Sequence, residues 1–281
     1  MRHLITALAC LLTVAATPAA AQTAERDDAS GGDLLMAGLG IATMPAYEGS
    51  GQGRIVPVPG VVGRINGTKF MLLGNQVNLD LIKDKSGPGW DFQLGPYAAV
   101  GLNRTMLSAI DDVRIRALGK ASMAVELGGY VGIARQGVIT SDYDRLSISV
   151  SARHDVAGAH DGTLIVPTIS YMTPLSERAL VTLYASATHA DSHYARTYYS
   201  ITPTQSAAST LPVFNADGGW TNWMVGAGGL VSLTGTLEHG LQLAGGLSYG
   251  RMQNDFARSP VVSIAGSRNQ FMAALGLAYS F

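Results

Sequence analysis

Residues Arg268–Phe281 read RNQFMAALGLAYSF. From Phe271 the odd positions are Phe271, Ala273, Leu275, Leu277, Tyr279 and Phe281. The even positions are Met272, Ala274, Gly276, Ala278 and Ser280. A strand sends successive side chains to opposite faces, so this segment has one greasy, aromatic face and one face of mostly small residues. A half-buried soluble sheet turns polar residues toward its open face, and this segment has almost none to turn. A closed barrel with lipid outside and a narrow lumen inside needs this pattern. The competing reading is an ordinary final sheet strand.

Working outward, Tyr279 and the terminal Phe281 resemble the C-terminal assembly signal of bacterial outer-membrane barrels. Composition points the same way. Charged residues make up 14% of the chain, against about 25% in typical soluble domains. Glycine accounts for 34 of 281 residues, well above the usual share of roughly 7%. Residues 1–21 have the form of a secretory signal: Arg2 and His3 at the head, an apolar run from Leu4 to Val14, and Ala19-Ala20-Ala21 as the cleavage site. The run is too short to span a bilayer. It holds Cys10, the only cysteine, so the mature chain has neither disulfides nor thiolate chemistry. Basic and acidic residues nearly balance, which gives no electrostatic case for nucleic acid.

Residues 22–33 read as a polar periplasmic lead, and 34–281 as one transmembrane barrel. Eleven segments are strand candidates: 34–43, 54–64, 69–82, 90–103, 121–133, 145–153, 163–172, 178–188, 219–233, 239–252 and the last. Single-chain bacterial barrels have an even number of strands. Twelve is expected, with the extra strand at Val113–Leu118 or Tyr194–Ile201. Ten is the alternative if 54–64 is not a full strand, since Pro57 and Pro59 cannot donate to a ladder.

Alternation predicts that Asp91, Glu126, Arg153 and Arg251 face the lumen. Unpaired buried charges are costly, so an internal salt-bridge network is the preferred reading over a solute-selecting pore lining. Several motifs imitate chemistry. Gly246–Gly250 matches G-x-S-x-G, but that motif requires a strand-to-helix turn, and Ser248 lies within an alternating run. His189 and His193 have a helical zinc spacing without a helical period around them. His154-Asp155 and His160-Asp161 frame a loop and lack a further ligand. Gly119-Lys120-Ala121 fails the phosphate-loop pattern, and no cofactor fingerprint is present. A lipid-cleaving barrel needs a Ser–His pair on the lipid face, whereas Ser147, Ser149, Ser151 and Ser248 fall on the lumen side.

Four stretches carry a family resemblance. They are Pro45-Ala46-Tyr47-Glu48-Gly49-Ser50; the paired prolines Val56-Pro57-Val58-Pro59; Tyr198-Tyr199-Ser200-Ile201 with Ser209–Phe214; and Arg251–Asp255 with Ser259-Pro260-Val261-Val262. In order and spacing the chain resembles the MipA/OmpV family, the MltA-interacting outer-membrane proteins. Ser200, Thr210 and Phe214 depart from its pattern, so the long loop from Tyr198 to Phe214 is the least transferable part. The resemblance implies a non-enzymatic outer-membrane protein without cofactors. It implies a scaffold whose partners are a lytic transglycosylase and a murein synthase of the penicillin-binding class. A small-solute channel and, less strongly, a lipid-modifying enzyme are the alternatives.

Overall fold

The computed structural model describes residues 33–83 and 89–281. The signal segment and all of the lead except Asp33 lie outside the described residues. Twelve antiparallel strands close on themselves, each paired with its neighbour in sequence. They are β1 (Leu34–Pro45), β2 (Gly53–Ile65), β3 (Thr68–Leu73), β4 (Gln76–Leu79), β5 (Trp90–Gly101), β6 (Ala124–Gln136), β7 (Arg145–Asp155), β8 (Thr163–Ser176), β9 (Ala179–Ala190), β10 (Gly219–Ser232), β11 (Gly240–Met252) and β12 (Asn269–Ser280). The seam joins β1 to β12, from Met36 opposite Ser280 to Thr43 opposite Ala273. Closure removes the unpaired edges that lipid cannot solvate.

The number is twelve, but the twelfth strand is not where the sequence suggested. Val113–Ala117 is a helix, α1, and Ser192–Tyr199 is a helix, α2. The extra strand comes from residues 69–82, which fold back at Gly74-Asn75 into the short β3–β4 hairpin. Gly74 takes φ +59° there, a left-handed value that glycine adopts without penalty.

The proline-bearing β2 is a full strand, paired with β1 from Gly53 to Arg64. Its pairing with β3 starts only at Gly60. The Pro59 carbonyl accepts from Gly74 N–H at 2.8 Å, so the missing proline donors point to the side where β3 has ended. Proline is tolerated on such an edge.

The outer face carries a lipid-facing band. Leu39, Leu94, Val131, Ile169, Leu247 and Leu275 are exposed there. Aromatic residues flank the band at both rims. Trp223, Tyr249 and Phe271 form a chain of ring contacts of 5.5 and 4.9 Å at one end. Tyr279 and Phe281 pack 5.0 Å apart at the other. Such girdles sit at the two membrane interfaces. Among the described residues no helix is long and apolar enough to cross a membrane; the crossing elements are the strands.

The two ends of the barrel differ. One has short connections at 66–67, 137–144, 177–178 and 233–239, and it holds both ends of the strand run. The other has long ones at 102–123, 191–218 and 253–268. Bacterial barrels keep short turns in the periplasm and long loops outside, which places the long-loop end outward.

Candidate functional site: a capped lumen

The long loops fold into a cap. It contains α1, α2, α3 (Pro203–Ser209), α4 (Asn254–Arg258) and α5 (Pro260–Ser263). Two apolar clusters hold it together. Tyr194, Tyr198, Tyr199, Phe256 and Val262 anchor one, and Tyr47, Ile110, Ile115, Ile201, Leu211 and Val261 the other. Each helix is too short to be stable alone, so tertiary packing and caps carry it. Asp191 caps α2 by accepting from His193 N–H at 3.0 Å and Tyr194 N–H at 3.1 Å, and it also takes Thr163 N–H at 2.7 Å. Thr202 and Gln205 form a capping box on α3.

Most of the family-signature residues meet in this cap, the exceptions being the β2 prolines and Arg251 in β11. The Tyr47 hydroxyl donates to the carbonyls of Val261 (3.2 Å) and Ala265 (2.8 Å). Gly49 has φ +89°, and a Cβ there would run into the Val262 side chain. Ser50 supplies a carbonyl to Gln270 Nε2 at 3.2 Å. Pro45 ends β1 at the start of the first loop. Ser259 donates to the Tyr199 carbonyl at 2.6 Å, and its oxygen accepts from Val261 N–H as the cap of α5, with Pro260 in the first turn. Tyr199 stacks edge-on against Phe256 at 4.9 Å. Asp255 accepts from Asp217 N–H at 3.0 Å and pairs with Arg258. Arg104 ties the cap to the barrel rim by donating to the carbonyls of Tyr198 and Thr197, both at 3.1 Å.

Beneath the cap lies a polar chamber of about 130 Å³, lined by Glu48, Arg54, Gln76, Glu126, Arg153, Asn222 and Gln270 among others. Glu48 Oε2 accepts from the Tyr194 hydroxyl at 2.6 Å and Oε1 from Asn222 Nδ2 at 3.3 Å. Burial pushes the Glu48 carboxyl above the usual glutamate range. Arg153 Nε donates to Glu126 Oε2 at 2.5 Å, and its guanidinium lies 5.5 Å from the Tyr97 ring. His160 accepts from Gly162 N–H at Nδ1 (3.0 Å), which leaves Nε2 as the donor to Glu126 Oε1 at 3.3 Å. Near the opposite end Asp91 pairs with Arg145 and lies 3.8 Å from Lys69.

Asp91, Glu126 and Arg153 therefore occupy the inward face, in two ion clusters. Arg251 does not. It stands opposite Trp223 and Asn269 on the outer face, while its neighbours Gly250 and Met252 share the inward face with Met224, Gln270 and Asn222. At the last rung of β11 a long cation reaches the polar interface, so parity there carries no burial penalty. Tyr279 and Phe281 lie on the outer face at the short-turn rim.

The motifs that imitate chemistry sit as follows. Ser248 is mid-strand in β11, with no strand-to-helix turn. His189 packs on Trp220 at 5.4 Å, while His193 opens α2. Sequence reasoning passed over Glu48, Tyr194 and Asn222 as chamber residues and His160 as the partner of Glu126. The Glu48–Asn222 contact spans 174 positions, and no local pattern encodes it.

No curated protein matches the sequence. Among solved structures, the chain is similar to the outer-membrane channel DcaP of Acinetobacter baumannii at 9% identity, covering 92% of this chain and 99% of that one, with a TM-score of 0.39. It is similar to the toluene transporter TodX of Pseudomonas putida at 11% identity, covering 94% and 91%, with a TM-score of 0.37. An anion-selective porin from Comamonas acidovorans is similar at 11% identity, 89% and 99% coverage and a TM-score of 0.36. No property of those proteins transfers to this chain at such values. A family model described as MltA-interacting protein MipA matches residues 37–281. That span runs from the first strand through every signature stretch of the cap to the closing aromatic, and the chain belongs to the MipA family.

Proposed function

We propose that this protein is a non-enzymatic outer-membrane platform for a periplasmic murein-remodelling enzyme. The family description of a MltA-interacting protein supports a periplasmic enzyme partner in general, and the partner class we propose is a lytic transglycosylase together with a penicillin-binding murein synthase. The observation that carries the reading is the cap. Its signature residues bond to one another and cover the outward end, and beneath it Glu126 pairs with Arg153 and His160 while Glu48 is held by Tyr194 and Asn222. This is the build of an anchor rather than of an open conduit.

The short-turn end then faces the partner. Its turn 137–144 is held rigid by Asp144, which accepts from Val138 N–H (2.6 Å), Ile139 N–H (2.9 Å) and the Tyr171 hydroxyl (2.7 Å). The turn presents exposed Ile139 and Tyr143 beside exposed Leu175. Weak contacts there, on a membrane-fixed protein, raise the local concentration of the enzyme at the wall.

A photo-crosslinking residue placed at Ile139 or Tyr143 in cells tests this. The expected product is a crosslink to a lytic transglycosylase that is absent when the probe sits at Val213 in the cap. Crosslinks only to lipid, or the same partner from both ends, would discard the platform reading.

A further inference from the structure

Below the polar chamber the lumen changes character. Between β9–β12 and β1–β3 it holds a cavity of about 260 Å³ that no charged side chain lines. Its inward walls include Val58, Val62, Leu73, Leu180, Leu230 and Met272. Ala42, Met44 and Val56 close it toward the chamber. Met172, Leu180 and Leu230, with Leu237 packed on them, floor it toward the short turns. The facing wall is polar: Gln93, Gly132, Ser149 and Thr168 share one rung, and Asp91, Ala134, Ser147 and Ser170 the next, with Asp91 paired to Arg145.

Two simpler accounts of this cavity fail. Water along the polar β5–β8 wall leaves the apolar wall opposite unexplained, since apolar area facing water costs about 25 cal/mol per Å². A lumen that is merely filled would carry large side chains. The glycines of the wall separate these cases. Gly38 and Gly40 are required by the seam, because a Cβ on either would stand 2.7 Å from a β12 carbonyl oxygen, and Gly276 faces Gly40 Cα at 2.8 Å. Gly228 is under no such constraint. A Cβ there would meet one atom, Gly245 O at 3.4 Å, and otherwise open space. Strand packing does not demand glycine at this position, yet glycine leaves the space open.

We propose that this cavity is a binding site for an uncharged hydrocarbon group. An apolar cavity of about 150 Å³ stays dry and takes benzene, so this one has room for a larger ring or a short run of alkyl chain. The few lining hydroxyls, at Thr182, Tyr184 and Ser248, set how deep a polar end could sit. The site is independent of the platform reading, since it lies inside the barrel and not on the turns. Two sources share this chemistry: the acyl tail of an envelope lipid and a free small hydrophobic molecule.

The test uses the whole mature barrel in lipid nanodiscs with a short neutral alkyl diazirine, and labelled residues are mapped by tandem mass spectrometry. Labels are expected on inward Leu180, Leu230 and Met272 as well as on lipid-facing Leu247 and Leu277. Gly228→Leu is expected to lose the inward labels and keep the outward ones. If Gly228→Leu does not give a folded, heat-modifiable barrel, Ala244→Phe fills the same space from β11 and serves instead.

Outward labels alone on the wild type, or inward labels unchanged in the filled variant, would overturn the site. Solvent extraction separates the sources. A phospholipid retained by the wild type and not by the variant indicates an acyl tail. Displacement of the probe by free decane without retained lipid indicates a free molecule.

Discussion

At the scale of single residues, Glu48 shows how the cap ties sequence-distant groups together. Its carboxyl lies partly buried against Tyr194 and Asn222, and the loss of solvent there raises its pKa above the usual glutamate range. The protonated form is therefore favoured when folded. Its contribution is complete below the unfolded glutamate value of about 4.3 and is lost as pH rises through the raised one. Glu48→Gln keeps a donor and an acceptor without the charge. Its melting temperature relative to the wild type should climb between acid and neutral pH. A constant difference across that interval would show that Glu48 does not titrate in the cap. Arg251 makes the complementary point. Alternation put it inside, but at the last rung the side chain has an aqueous interface within reach.

At the scale of elements, the helices of the cap exist through their caps and contacts. Asp191 serves both the first turn of α2 and the start of β8. Burial alone would raise its carboxyl, and the N–H groups of Tyr194, Thr163 and His193 outweigh that and hold it below the usual aspartate range. Its stabilisation is present above the unfolded value of about 3.9 and disappears as pH falls through the folded one. Asp191→Ala should destabilise the cap by about 1–2 kcal/mol. Faster proteolysis within 191–218 at unchanged barrel heat-modifiability would register it. Uniform resistance in the variant would mean that the packing of Tyr198, Tyr199 and Phe256 holds α2 without the cap. The hairpin β3–β4 carries the other lesson at this scale. A candidate run of fourteen residues need not be one strand when a glycine and an asparagine can turn it.

For the whole molecule, the cap, the polar chamber and the apolar cavity stack along one axis. The outward end is capped, and Asp91, Lys69, Arg145, Glu126 and Arg153 are paired in two clusters, with Arg54 in the chamber belonging to neither. In planar bilayers the intact protein should show little stepwise conductance. Replacing residues 192–217 with a short turn should open clear steps, because that deletion removes Tyr194, Tyr198 and Tyr199 from one apolar cluster of the cap and Ile201 and Leu211 from the other. Large steps from the intact protein would instead mark it as a channel and demote the platform reading.

The sequence by itself determined the barrel. Alternation is a local property, lipid outside demands it on every strand, and the terminal Tyr279 and Phe281 close the pattern. The family stretches were legible too, as short strings in a fixed order. What those strings do was decided only in three dimensions. Tyr47 meets Val261 and Ala265 across more than 200 positions, and Gly49 matters because Val262 stands where its side chain would be. The twelfth strand, the helices of the cap and the outward turn of Arg251 were likewise tertiary outcomes. Their period is too short to read, and their stability comes from partners far along the chain. The apolar cavity belongs with them, since a glycine that packing requires and one that leaves space open are the same letter until the neighbouring strand is in place.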